Sequence, residues 1–332
     1  MSHYPLADNL YGDNAKLEPI RAGFGRGLKA AGEANSSVVA LCADLTESTQ
    51  MHLFKQAFPD RFIEIGVAEQ NLVTVASGLA RVGKIPFTSS YAAFSPGRNW
   101  EQIRTTSALN DMPVKVIGSH AGISVGPDGA THQMLEDIAI MRVMPNMVVI
   151  APGDSLEAEK ATIAMAGDQR PTYMRLAREK TPIFSTDDSP FEIGKAYVLR
   201  EGHDATLVGT GTMTYQLLAA AEKLAHHGVH VEVIHAPTIK PFDSDTLLTS
   251  VRKTGRVVTA EEAQINGGLG GVVAEVLGEN LPTPLKRIGM QDRFGESGAP
   301  NELLDHFGLT GEKIAKTVQQ FIESTPKYHQ GF

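Results

Sequence analysis

The sequence predicts an α/β protein: a parallel sheet covered on both faces, followed by a second, smaller α/β domain. Three observations carry this. Between Pro19 and Ala177, short apolar runs alternate with amphipathic segments, the βαβα order of a parallel sheet. The apolar runs are near-continuous, as strands buried on both faces are. A break rich in Pro, Ser and Asp, TPIFSTDDSP at Thr181 to Pro190, then separates this series from another. The 332 residues are enough for two domains.

Taken in order, residues 1–17 read as a loose arm. A helix is expected from about Pro19 to Ala34, then a strand from Ser37 to Ala43 ending on Asp44. The stretch Arg61 to Lys84, RFIEIGVAEQNLVTVASGLARVGK, organises the rest. It gives a strand to Ile65, a tight turn at Gly66, and a helix. Leu72, Ala76, Leu79 and Ala80 form that helix's apolar face at i, i+4, i+7 and i+8. Glu69 is expected off that face, in the first turn, where a carboxylate complements the helix dipole.

The segment Pro86 to Arg104 reads as strand, loop and helix. Pro113 to Ser119 is a strand ending at His120, and the loop GISVGPDGATHQ leads to a helix from Met134 to Met144. Strands Met147 to Ala151 and Thr172 to Ala177 enclose a helix at Ser155 to Met165. The second unit has strands at Ala205 to Val208, Val229 to His235, Arg256 to Thr259 and Leu285 to Ile288. Its helices are Tyr215 to His227 and Val272 to Leu277. The expected domains are 18–185 and 191–325, after the arm 1–17.

A composition of 42% hydrophobic and 20% charged residues supplies an ordinary globular core. The net charge of -8 argues against a nucleic-acid partner and against an anionic membrane surface. The one cysteine, Cys42 in SVVALCAD, reads as a small core residue and excludes an intrachain disulfide. The polar N-terminus lacks a hydrophobic signal region, and no apolar run would span a bilayer, so the cytoplasm is the expected compartment. Gly209-Thr-Gly211 fails as a dinucleotide fingerprint because Thr214 stands where its third glycine belongs. Gly267 to Gly271, GGLGG, reads as a turn letting a helix N-terminus approach a neighbour.

The polar residues fall in a pattern. Asp44, Glu69, His120 and Arg178 lie at or just past the C-terminal ends of expected strands. Open α/β sheets bind ligands at that edge. Tyr91 and Phe94 flank a bend near it. The loop Gly126 to Gln133 adds Asp128 and His132 between glycines. As a metal site, His120, Asp128 and His132 match no usual ligand spacing.

These residues sit in motifs: ADLTES (Ala43 to Ser48), IGVAEQN (Ile65 to Asn71), SHAGISVGPDGATHQ (Ser119 to Gln133), RLARE (Arg175 to Glu179), TIKPFD (Thr238 to Asp243) and TAEEAQINGGLGG (Thr259 to Gly271). In this order the chain resembles the C-terminal half of transketolase, from about residue 18 to 325. The resemblance implies a parallel-sheet thiamine-diphosphate-binding domain of the pyrimidine type, then a transketolase C-terminal domain. Thiamine diphosphate would act as an electron sink. By resemblance, Glu69 shares a proton with the pyrimidine N1′, Tyr91 and Phe94 pack the pyrimidine face, and Asp44 helps position the cofactor at a subunit interface. Residues matching Arg21, Ser48, His120 and Arg178 hold the phosphate of a sugar phosphate, for which two guanidiniums, a hydroxyl and an imidazole are apt donors. Asp128 matches a carboxylate that contacts a substrate hydroxyl. His132 matches a histidine that assists proton transfer at substrate oxygen. The catalytic set is Glu69, His132 and His120.

Two departures matter. No Gly-Asp-Gly followed by a downstream Asn is found, the family's Mg²⁺ and diphosphate motif, and Ala121 stands where longer members usually carry Asp. The resemblance therefore implies a split transketolase. An N-terminal partner subunit would bring the diphosphate-binding domain and Mg²⁺, with two copies of each chain in a heterotetramer. The reaction implied is two-carbon ketol transfer between ketose and aldose phosphates, as in the pentose phosphate pathway. The alternatives are 1-deoxyxylulose-5-phosphate synthesis, another thiamine-diphosphate reaction such as that of a 2-oxo-acid dehydrogenase β subunit, and a non-catalytic regulatory subunit.

Overall fold

Strands that read as continuous apolar runs become the inside of two sheets in the computed structural model, which describes residues 4–12 and 15–328. The first sheet has seven strands. In spatial order they are Thr238–Lys240, Val148–Ile150, Thr172–Arg175, Lys115–Ser119, Ile85–Tyr91, Val38–Cys42 and Phe62–Glu64. All pair in parallel except Thr238–Lys240, an antiparallel edge. Along Val38–Cys42, Val38, Ala40 and Cys42 face one core and Val39 and Leu41 the other. The helices Ile20–Ala34 and Ser155–Gly167 cover the first face; Glu69–Arg81 and Asp137–Arg142 cover the second.

The second sheet runs Leu285–Met290, Val257–Gln264, Thr206–Gly209, Glu232–His235, Tyr197–Arg200. Only the edge Tyr197–Arg200 is antiparallel. Met213–Ala225 and Gly311–Ser324 cover one face, Ser244–Thr254 and Leu269–Asn280 the other. Glu261 accepts the backbone N–H groups of Leu269 and Gly270 at 2.7 Å each, so the GGLGG turn seats a helix start on a buried carboxylate. Thr214 is committed to His235, with 2.6 Å between its hydroxyl and Nδ1.

Several expectations change. Over its described residues, 4–12 and 15–17, the arm is not loose: Tyr4 and Leu10 are buried in the core of the second sheet; residues 1–3, 13 and 14 of the expected arm lie outside the described residues. Ala7 N–H donates to Phe184 O at 2.9 Å, and Tyr11 OH to Leu218 O at 3.3 Å. The helix expected at Met134 to Met144 is only Asp137–Arg142. The backbone of Met134 pairs instead with residues 121 and 122, Gly122 N–H donating to Met134 O at 2.9 Å. The helix after Tyr91 starts only at Trp100 and widens into a π-helical stretch, Ile103–Ala108. Thr238–Lys240 leaves the second unit to edge the first sheet, where Ile239 is buried. The helices His52–Ala57, Ser244–Thr254, Pro300–His306 and Gly311–Ser324 were not anticipated.

The two units meet through polar contacts that are buried and paired. Arg175 Nε donates to Asp137 Oδ2 at 2.9 Å and its Nη2 to Glu262 O at 2.6 Å. His235 Nε2 lies 2.7 Å from Glu157 Oε2, both fully buried. The Pro- and Ser-rich break is stapled, with Lys160 Nζ donating to the carbonyls of Thr186, Asp187 and Ser189 at 2.6–2.9 Å. Cys42 is buried, and burial pushes its thiol pKa up, so it stays an inert core group. No helix of the described residues is long and apolar enough to cross a membrane.

The helices Ile20–Ala34 and Ser155–Gly167 approach so closely that a Cβ on Gly23 would lie 1.7 Å from the Ser155 carbonyl oxygen. Backbone cannot retreat as a flexible side chain can. Gly23→Ala should therefore cost about 3 kcal/mol or more, the upper end for overpacking, read as a lowered midpoint in urea. Gly278→Ala, where a Cβ meets nothing within 4 Å, should instead stabilise by about 0.5–1 kcal/mol.

Candidate functional site

Five adjacent parallel strands deliver five side chains to one sheet edge. In the spatial order Thr172–Arg175, Lys115–Ser119, Ile85–Tyr91, Val38–Cys42, Phe62–Glu64, they lead to Arg178, His120, Tyr91, Asp44 and Glu69. The chain leaves two of these strands abruptly. His120 has φ 57° and Asp44 φ 58°, left-handed backbone that non-glycine residues adopt at a cost and that clusters at functional sites.

Glu69 is only 3% exposed and lies in line with Val73, Ala76 and Ala80 on the buried side of its helix. This corrects the expectation that it stands off the apolar face: i, i+4, i+7 and i+11 share one side of a 3.6-residue period. Its Oε2 accepts from Arg98 Nη1 at 2.9 Å, and its backbone carbonyl accepts from Asn99 Nδ2 at 2.8 Å. Oε1 has no hydrogen-bond partner among the described residues. The half-exposed Arg98 guanidinium lies 4.9 Å from the centre of the Phe94 ring.

From Phe94 the contacts continue. Its ring is 6.0 Å from that of Tyr91, inclined by 23°, and 5.4 Å from His132, edge-on. Tyr91 lies 3.9 Å from the His120 ring. His120 in turn feels the charges of Arg21 and Arg178. Arg21 Nη1 donates to Arg178 O at 2.6 Å, and Arg178 Nη1 to Val125 O at 2.7 Å. A run of side-chain contacts thus joins Glu69 to His120, which lies in the field of two guanidiniums.

The electrostatics at the far end are lopsided. Burial first, then Arg21, Arg178 and His132, drive the His120 pKa down to about 3, so its ring is neutral at physiological pH. Burial, then Arg178, lowers the pKa of Arg21. Apart from Glu179, 3.6 Å from Arg178 Nε, these guanidiniums meet backbone carbonyls rather than carboxylates. Two guanidiniums facing a single carboxylate, in a chain of net charge -8, suit an anionic ligand. Ser119 Oγ is 2.9 Å from His120 Nδ1. A hydroxyl donating there leaves the ring proton on Nε2, a neutral donor.

Other expected residues stand apart. Asp44 and Asp128 are exposed and Ser48 is half-buried, and none of the three makes a side-chain hydrogen bond or ion pair among the described residues. His132 is half-exposed on the loop after Asp128, with Nδ1 2.9 Å from Thr131 Oγ1. Two contributors escaped the sequence reading. Arg98 follows Phe94 by four residues, a spacing that carries no signal in a segment that reads as a polar loop. Glu64 ends an edge strand and looks like solvent-facing charge. Its carboxylate accepts from Asp44 N at 2.7 Å, Gly66 N at 3.0 Å and Thr46 Oγ1 at 3.2 Å, so it fixes the loops that carry Asp44 and Glu69. Among the described residues, no group of three or more His, Cys, Asp or Glu is arranged to hold a metal ion.

Comparison with known proteins bears on this site. The family model for the transketolase pyrimidine binding domain matches residues 19–183, and that for the transketolase C-terminal domain matches residues 194–314. A Methanocaldococcus jannaschii protein assigned as a transketolase C-terminal section is 45% identical over 304 residues, covering 91% of this chain and 95% of its own. A Clostridium sp. protein, 6-deoxy-6-sulfo-D-fructose transketolase subunit, is 43% identical over 291 residues, covering 88% of this chain and 90% of its own. A solved structure of a split-gene transketolase, described as an inactive beta4 tetramer, superposes with a TM-score of 0.86 at 43% identity, over 92% of this chain and 98% of its own.

The neutral His120 gives a direct test. Its folded pKa lies below the value of 6.5 for an unperturbed imidazole, so its contribution to stability is present above about pH 6.5 and is lost as pH falls toward 3. In NMR spectra the His120 ring signals should stay flat between about pH 5 and 8. A His120 midpoint near 6.5 would overturn this account of its surroundings.

Proposed function

The chain belongs to the transketolase family, and on that premise we propose that it is the C-terminal subunit of a split transketolase. It moves a two-carbon ketol unit from a ketose phosphate to an aldose phosphate, with thiamine diphosphate and Mg²⁺. The observation that carries this is the path from the buried Glu69 carboxylate, through Phe94 and Tyr91, to His120, Arg21 and Arg178. One end suits a flat heteroaromatic ring and the other a phosphate.

The residues fit the cofactor's pyrimidine. A carboxylate must meet a ring nitrogen, and apolar rings must pack its faces; Glu69, Tyr91 and Phe94 are of those types and lie together. Arg98 anchors one oxygen of Glu69 and leaves the other free to share a proton. When bound, thiamine diphosphate supplies the electron sink for carbon–carbon cleavage. Arg21, Arg178, Ser48 and the neutral His120 hold the anionic end of the sugar. His132, with Nδ1 turned to Thr131, offers Nε2 for moving a proton at a substrate oxygen, and the exposed Asp128 accepts from a substrate hydroxyl. Asp44, held through its backbone by Glu64, faces the subunit that completes the cofactor site.

That subunit is an N-terminal transketolase chain bearing the diphosphate-binding domain and Mg²⁺, in a cytoplasmic assembly of two copies of each. The relative assigned as a C-terminal section and the split-gene neighbour, both matched over nearly their whole lengths, support the division. The sugar is less constrained. Two guanidiniums and a neutral imidazole accept a tetrahedral anion without distinguishing phosphate from sulfonate, and one relative is named for a sulfofructose substrate. Both donor classes therefore belong in the assay.

The test is ketol transfer to ribose 5-phosphate from xylulose 5-phosphate or 6-deoxy-6-sulfofructose, with thiamine diphosphate and Mg²⁺. The chain is assayed alone and with the diphosphate-binding chain encoded beside it. Turnover is expected only in the mixture, and Glu69→Gln should lower kcat by about 10²–10⁴-fold with sugar KM little changed. Turnover by this chain alone, or full activity of Glu69→Gln, would refute the shared-site reading.

A further inference from the structure

The loop that presents Asp128 and His132 is gripped at both shoulders by the second unit. Its tip is exposed at Pro127, Asp128, Ala130 and Thr131, while residues 121–126 and Gln133 are buried. At the first shoulder, Glu262 Oε1 accepts the backbone N–H of Ser124 at 2.6 Å. The other oxygen of Glu262 accepts from Thr212 Oγ1 at 2.7 Å, within its own unit. Glu262 is only 2% exposed, and the backbone carbonyl of the same residue receives the Arg175 guanidinium.

The fit is too tight for a side chain between. Gly122 has φ +93°, and a Cβ there would lie 2.4 Å from Glu262 Oε1. At the tip, a Cβ on Gly129 would lie 2.4 Å from Ser297 Oγ. Pro300 packs on Gly126 between them. At the second shoulder, Gln133 Nε2 donates to Ile123 O, Gly126 O and, at 2.8 Å, to Glu296 O of the second unit.

We infer that the second unit sets the geometry of the substrate loop, with Glu262 as the positioning residue that fixes its first shoulder. Glu262 touches no reacting atom. It holds the Ser124 amide, and through it the rise of backbone that carries Asp128 and His132. The inference rests on the roles proposed for those two residues and gives the C-terminal domain a part in the chemistry. A buried carboxylate that satisfies both a loop amide and a fixed hydroxyl is stiffer than a loop held by its own turns.

The test compares wild type, Glu262→Ala and Glu262→Gln in the complex with the diphosphate-binding chain, Mg²⁺ and thiamine diphosphate. Gln keeps an acceptor for the Ser124 amide; Ala removes it. In Glu262→Ala, amides of residues 123–133 should exchange with deuterium about tenfold faster or more, while those of strand Lys115–Ser119 stay protected. The KM for the sugar should rise about tenfold or more, thiamine diphosphate affinity should stay within about twofold, and Gln should restore most of the loss. Thr212→Val, which removes only the hydroxyl orienting the carboxylate, should give the same pattern more mildly and serves if the alanine variant does not fold.

Unchanged exchange across 123–133 would overturn the inference. So would faster exchange with unaltered sugar kinetics, or a loss shared equally by cofactor affinity and every region of the chain. If the wild-type complex transfers no ketol unit from any donor, the functional reading falls, and exchange at 123–133 still decides whether Glu262 is the anchor.

Discussion

The buried guanidinium of Arg175 fixes how the two sheets meet. A charge removed from water is tolerated only when it is paired and fully hydrogen-bonded, and breaking such a pair typically costs about 3–5 kcal/mol. Asp137 supplies the counter-charge and also accepts from Tyr173 OH at 2.7 Å, which keeps that carboxylate from turning away. The Nη2 of Arg175 donates to the backbone carbonyl of Glu262 in the other unit. Arg175 ends its strand just before Arg178, and Glu262 reaches Ser124. The same knot therefore governs where the Arg178 guanidinium emerges and where the loop carrying Asp128 and His132 begins.

Charge is distributed unevenly for a reason. The chain is acidic as a whole, yet its positive groups Arg21 and Arg178 are gathered at the carboxyl edge of one sheet with little carboxylate nearby. Keeping His120 neutral limits the self-repulsion of that patch, because a third cation would have to be desolvated against two others. At the opposite end Glu69 is given a single cation, Arg98, on one oxygen only. The site is thus polarised along its length before any ligand arrives, and preorganised dipoles and charges are what enzymes use to stabilise developing charge.

Much of this was legible in the sequence because it depends on local pattern. Near-continuous apolar strands announced the two-sided burial seen at Val38–Cys42, and Gly66 marked the turn that its positive φ realises. The strand-terminal positions of Glu69, His120 and Arg178 follow from the same alternation. What escaped depends on distance. Glu64, Arg98 and Glu262 act on groups 20, 29 and 138 residues away, and nothing in their own neighbourhoods distinguishes them from solvated charge. The shortened helix Asp137–Arg142 escaped for a related reason: pairing of Met134 with the loop at 121–122 overrides a helical pattern that is locally sound.

The N-terminal arm and the strand Thr238–Lys240 cross in opposite directions. Tyr4 and Leu10 complete the core of the second sheet, and Ile239 is buried with Val149 and Tyr173 in the core of the first. Each unit therefore borrows a segment from the other. Cutting the gene at the Pro- and Ser-rich break would leave both halves with an open apolar seam. The boundary visible in the sequence is not a boundary in packing: each sheet's core includes a segment from across the break, and a domain swapped in from a relative must bring its borrowed segment with it.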